Sequence, residues 1–206
     1  MRIGIDFDNT IACYDGVFHA AALERELIPA DLPTGKTIVR DYLRSLDRDA
    51  DFTKLQGYVY GSRMDLVGLY PGLTEVLKKA ASAGHDMFIV SHKTRTPFAG
   101  PAYDLHAAAK DFLHTKEIIG EAPGQVRPER VFFELTKEEK VVRIADLDCE
   151  VFIDDLPEIL AMEGFPAKLR PILFDPENHY ANGAWRNRSF ERYGSWREIG
   201  AAVLSL

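Results

Sequence analysis

Cysteine is scarce in this chain, with only Cys13 and Cys149 among 206 residues. They form no CxxC pair and no histidine cluster accompanies them, which excludes a disulfide framework and a structural zinc site and predicts two free thiols. Long apolar runs are missing too. Stretches such as Met87 to Val90 fall far short of the roughly 20 residues that cross a bilayer, so neither a membrane span nor a membrane partner is expected. The first residues pass straight into Arg2-Ile3-Gly4-Ile5-Asp6-Phe7, with no apolar leader or small-residue cleavage site, which predicts a cytoplasmic protein. Excess basic charge is also absent. A formal net charge of -7 is the reverse of the footprint that binds a nucleic-acid polymer. An acidic chain still binds a small phosphate where a metal and one or two cations are placed locally. Internal repeats and low-complexity segments are lacking, and oligomeric state leaves no trace in the pattern.

What is present is an ordinary globular composition, 46% hydrophobic and 28% charged, at a length that suits one core domain with a modest insertion. Apolar runs ending in polar or acidic residues recur at Arg2 to Phe7, Asp86 to Val90, Arg130 to Phe133, Glu150 to Ile153 and Pro171 to Phe174. They read as buried parallel strands. Helical patterns alternate with most of them, at Leu73 to Ala83, Tyr103 to Leu113, Lys137 to Ala145 and Pro157 to Glu163, which predicts a doubly wound α/β core over residues 1–11 and 69–206. Residues 12–68 break the alternation with three helical patterns, Val17 to Leu27, Thr37 to Ser45 and Phe52 to Met64. This stretch is predicted to be a small helical cap inserted after strand 1, with hinges near Cys13 to Gly16 and Gly68 to Gly72. The tail from Asp175 to Tyr193 shows no clear period, and Ser195 is placed to cap a last helix.

In a doubly wound sheet the ligand crevice lies beyond the carboxyl ends of the strands, and here those ends carry Asp6, Ser91, Asp154 and Asp155. Asp6 and Asp8, two residues apart at the end of the first strand, can both reach one crevice. One carboxylate can attack phosphorus while its neighbour handles a proton. Asp154 and Asp155 are adjacent acids that repel unless a cation lies between them and the first pair, and Mg2+ has the matching preference for oxygen ligands. The plain alternative is that they only cap the helix starting near Pro157. Ser91, with the backbone of His92 and Lys93 after it, can hold a phosphoryl oxygen. Lys137 opens a helix 17 positions before Asp154 and can pair with the nucleophile; Lys140 competes with it.

These elements, in this order, resemble the haloacid dehalogenase superfamily of phosphohydrolases. The resemblance implies a first motif of Asp6, Asp8 and Thr10, a second at Ser91, a third at Lys137 and a fourth at Asp154 and Asp155. It implies Asp6, Asp8 and Lys137 as catalytic residues, and Thr10, Ser91, His92 and Lys93 as substrate contacts. Asp6, Asp8, Asp154 and Asp155 are expected to hold Mg2+. The second acid, Asp8, points to phosphatases rather than dehalogenases, and Asn9 stands where glycine is commoner. The insertion resembles the C1 type of cap. Ser91-His92-Lys93-Thr94 and Ile153-Asp154-Asp155-Leu156-Pro157 are similar to the 5'(3')-deoxyribonucleotidase branch, with Lys93, Arg95, Phe18, Tyr58, Tyr60 and Arg63 available as further contacts. For Phe18 and the tyrosines, core packing is the competing reading. The expected partner is a small phosphorylated metabolite. His85, His92, His106, His114 and His179 show no metal-ligand spacing. Two rivals are carried forward: a protein that keeps this fold without turnover, and a receiver-type phosphoacceptor domain, whose acidic pair ends the first strand and whose phosphorylated Asp ends the third.

Overall fold

The computed structural model describes residues 1–166, 168–180, 184–185 and 188–204. The chain divides into two compact units, one of Met1–Ala12, Leu69–Lys93 and Lys116–Leu206, the other of Cys13–Gly68 and Thr94–Thr115. Among the described residues no helix is long and apolar enough to cross a membrane.

The first unit is built on six parallel strands, β1 (Arg2–Ile5), β2 (Asp86–His92), β3 (Val131–Glu134), β4 (Val151–Asp154), β5 (Arg170–Phe174) and β6 (Glu191–Tyr193). Their spatial order is β3-β2-β1-β4-β5-β6, the doubly wound arrangement in which the winding reverses between β1 and β4. A receiver domain has the order 2-1-3-4-5, so the observed sheet rules that rival out. Five strands lie where the apolar runs predicted them. The sixth escaped because Glu-Arg-Tyr carries no apolar run; it adds to the edge through Glu191↔Ile172 and Tyr193↔Phe174. Residues 181–183 and 186–187 of the aperiodic tail lie outside the described residues.

Both faces of the sheet are buried, as continuous apolar strands require. On one face Ile3, Ile5, Met87 and Ile153 meet Leu77 of the helix Leu73–Ser82 and Trp196, Ile199 and Val203 of the helix Trp196–Leu204. That last helix starts where expected, with Glu198 N–H donating to Ser195 Oγ at 3.3 Å. On the other face Phe88, Val90 and Phe152 pack with Ile144 of the helix Lys137–Asp146. Gly4 lets the Phe152 ring lie across β1, since a methyl group there would come within 2.5 Å of that ring. The Lys137–Asp146 helix begins with a capping box, in which Thr136 accepts from Glu139 N–H and Glu139 returns the bond.

The second unit contains the helices Val17–Glu24, Lys36–Ser45 and Asp49–Ser62, close to their predicted places, and also Leu105–Thr115. The last was expected in the α/β core. It belongs with the inserted helices because Gly57 and Gly61 open notches on the Asp49–Ser62 helix that receive Pro97 and Tyr103 from the preceding loop. Phe18 is fully buried among Tyr14, Phe52 and Tyr60, Tyr58 OH donates to Glu24 at 2.8 Å, and Arg63 pairs with Glu24 and Asp65.

Candidate active site

The site grows from the carboxyl ends of β1 and β4, the neighbours at which the winding reverses. Ile5 pairs with Ile153 and Asp6 N–H donates to the Ile153 carbonyl at 2.9 Å, which brings Asp6 beside Asp154. The two-residue alternation of β1 sets Ile3 and Ile5 on one face and Gly4 and Asp6 on the other. Phe7 is buried edge-on to Phe133, with ring centroids 5.8 Å apart. Asn9 then takes a left-handed φ of 56°. Asparagine tolerates that conformation, so it serves where glycine is commoner. Ile11 and Ala12 N–H groups donate to the Phe7 carbonyl at 3.0 and 2.9 Å, reversing the chain directly after Asp8.

One lysine joins two of these acids. Lys140 Nζ lies 2.6 Å from Asp6 Oδ1 and 2.6 Å from Asp154 Oδ2, and the three side chains are 2%, 6% and 0% exposed. The expected role of Lys137 is corrected: its ammonium is half-exposed and pairs with Glu158 at 2.5 Å. Side chains on a helix lean toward its N-terminus. Lys137 in the first turn therefore reaches past the end of the helix, while Lys140, one turn later, reaches the strand ends. Both residues sit near the buried face formed by Val141 and Ile144, so periodicity alone does not separate them. The capping box at Thr136-x-x-Glu139, legible in the sequence, supplies the discriminating signal.

Single oxygens of Asp6, Asp154 and Asp155 lie within 4.8 Å of one another. This compact set of hard oxygen donors fits Mg2+. Asp154 also accepts from Leu156 N–H at 2.9 Å, but no side chain caps the helix Pro157–Leu160, so the plain alternative of a capping role is not what holds these acids. Burial, then the charges of Asp154 and Asp6, push the Asp155 carboxyl well above the ordinary range. Burial also raises Asp6 to about 7, with Lys140 opposing and Asp154 and Asp8 adding. Burial works against the charge on Lys140, but Asp154 and Asp6 outweigh it and hold its pKa above the usual lysine value. An additional cation would relieve the same repulsion that raises the two acids.

Asp8, expected among the metal ligands, lies outside that group. Lys93 Nζ takes both of its oxygens, at 2.7 and 3.1 Å, and Lys93 is itself 5% exposed. Sequence reasoning named Lys93 only as a substrate contact and missed this pairing across 85 positions. Ser91 is buried at the end of β2. His92 is committed elsewhere, its Nε2 3.1 Å from the Leu135 carbonyl, and burial keeps its pKa below the ordinary value. Thr10 is corrected as a substrate contact: it is fully buried, its hydroxyl has no partner among the described residues, and its carbonyl accepts from Trp196 Nε1 at 2.9 Å.

No protein-family model matches the sequence, and no curated protein is significantly similar to it. Solved structures are. A haloacid dehalogenase family hydrolase from Deinococcus radiodurans R1, with bound phosphate and sodium, superimposes with a TM-score of 0.61 at 16% identity, covering 99% of this chain and 95% of that one. The chain has the haloacid dehalogenase fold. A predicted phosphatase from Clostridium acetobutylicum shares it with a TM-score of 0.59 at 15% identity over 100% of this chain and 98% of that one. So does a haloacid dehalogenase superfamily hydrolase from Ehrlichia chaffeensis, at 0.55 and 17% over 100% and 96%. Within the haloacid dehalogenase fold of this chain, the four sequence motifs fall at the ends of β1, β2 and β4 and on the helix after β3.

Proposed function

We propose that this chain is a magnesium-dependent phosphatase that hydrolyses a small phosphomonoester, a sugar phosphate or a nucleoside monophosphate, through an aspartyl-phosphate on Asp6. The observation that carries the reading is the buried Lys140 bridging Asp6 and Asp154 beside Asp155. A surface acid cluster needs no such lysine. With Oδ1 of Asp6 held by Lys140, Oδ2 is the oxygen that attacks phosphorus as the bond to the leaving oxygen breaks. Asp8 protonates that oxygen, then takes a proton from the water that attacks the aspartyl-phosphate, releasing phosphate and restoring Asp6. Mg2+ held by Asp6, Asp154 and Asp155 would supply charge neutralisation for the phosphoryl oxygens. The inserted helices act in this proposal as the cap that selects the substrate.

The test is phosphate release from an aryl phosphate and from a panel of phosphorylated metabolites, with and without Mg2+. Activity that requires Mg2+ and vanishes in Asp6→Asn is expected, together with phosphoenzyme that accumulates in Asp8→Asn. Unchanged turnover in Asp6→Asn removes the nucleophile, and silence across the whole panel favours a fold kept for binding.

A further inference from the structure

Four acids and two lysines meet at the strand ends, and the lysines pair with three of the acids. Lys140 pairs with Asp6 and Asp154; Lys93 pairs with Asp8 on both oxygens. Lys93 is not a solvated surface lysine. Its side chain is 4% exposed, its backbone N–H donates to the Glu134 carbonyl at the end of β3 at 2.8 Å, and its ammonium lies 5.1 Å from the centre of the Phe7 ring. In formal charges the four carboxylates exceed the two ammonium groups by two, which a single divalent ion balances. Sites that clamp phosphoryl groups with two metals place the ions roughly 3.5–4 Å apart, bridged by shared carboxylates. Here the oxygens that a second ion would take are occupied by an ammonium.

We propose that Lys93 is a positioning residue that acts as a built-in cation for Asp8, keeping that carboxylate out of the group formed by Asp6, Asp154 and Asp155 so that the site takes one divalent ion. This rests on the reading of that group as a magnesium site and gives Asp8 to proton transfer at the leaving oxygen. Removing the ammonium leaves an additional negative charge beside the metal group; removing Asp8 leaves an additional positive one; removing both restores the balance.

The experiment is calorimetric titration of Mg2+ and Mn2+ into the intact protein and into Lys93→Met, Asp8→Asn and the double variant, with thermal melts confirming that each is folded. Lys93→Met is expected to bind about tenfold more tightly or to take a second ion, and Asp8→Asn about tenfold more weakly, while the double variant returns to within about threefold of the parent. Lys93→Arg, which keeps the charge, should stay near the parent. In turnover, Lys93→Met should lose about 100-fold in kcat with a much smaller change in KM, since Asp8 is no longer held in place. Folded Lys93→Met with unchanged or weaker metal affinity overturns the proposal, as does a double variant that fails to return. If the parent binds no divalent ion, this proposal and the magnesium reading fall together. If it binds one ion and releases no phosphate from any ester, only the phosphatase reading falls and the titrations still decide this one.

Discussion

Replacing Lys140 with Met keeps the length of the buried stem and removes only the ammonium. Two charge-assisted hydrogen bonds of 2.6 Å are lost where the partners are 6% and 0% exposed. Stripping a buried ion group of one partner costs about 3–5 kcal/mol, a large share of a domain's stability. The loss must depend on pH in a definite direction. Burial raises the Asp6 carboxyl from its ordinary value near 3.8 to about 7, so the folded protein holds that proton more tightly than the unfolded chain. The burden is absent below the lower value and complete above the higher one. Without Lys140 the Asp6 carboxyl rises further, and the deficit is therefore greatest at about pH 8 and shrinks toward about pH 5.5 as the acid takes up its proton. Urea denaturation of the metal-free protein at both pH values measures this, with Lys137→Met as the control. The exposed Lys137–Glu158 pair should cost less than about 1 kcal/mol. A Lys140→Met deficit below about 1 kcal/mol at the higher pH, or one that grows on acidification, would refute the electrostatic account.

Asp155→Asn removes an acid that burial and the neighbouring Asp154 and Asp6 already disfavour, so the metal-free protein should gain about 1–2 kcal/mol at pH 8 while losing its stabilisation by Mg2+; thermal melts with and without the ion show both effects, and a destabilised variant would count against the repulsion. Mg2+ competes with the protons on Asp6 and Asp155, so its affinity should rise between about pH 6 and about pH 8 with proton release on binding, and calorimetry giving a flat profile would contradict this. Gly57→Ala places a methyl group 2.6 Å from Pro97 Cβ and 3.0 Å from the Ala99 carbonyl oxygen. A loss of about 1–3 kcal/mol by denaturant titration is expected, and a neutral result would show that the 94–104 loop yields.

The α/β core was legible because its strands are buried on both faces and so read as unbroken apolar runs. The edge strand Glu191–Tyr193 was not, because a parallel edge needs backbone pairing more than apolar side chains. The grouping of Leu105–Thr115 with the inserted helices was hidden for a similar reason: it depends on what Gly57 and Gly61 lack, and an absent side chain leaves no periodic signal. At the site, Asp6, Asp154 and Asp155 announced themselves by position at strand ends. Lys140 and Lys93 were visible only as a competitor and a substrate contact, since a buried lysine is written with the same letter as a solvated one and its meaning comes from partners 134 and 85 positions away.

The bond from Trp196 to the Thr10 carbonyl closes a loop of 186 positions and ties the turn after Asp8 to the helix Trp196–Leu204. A variant such as Trp196→Leu keeps both acids, Asp6 and Asp8, and loses the indole that anchors the turn after Asp8.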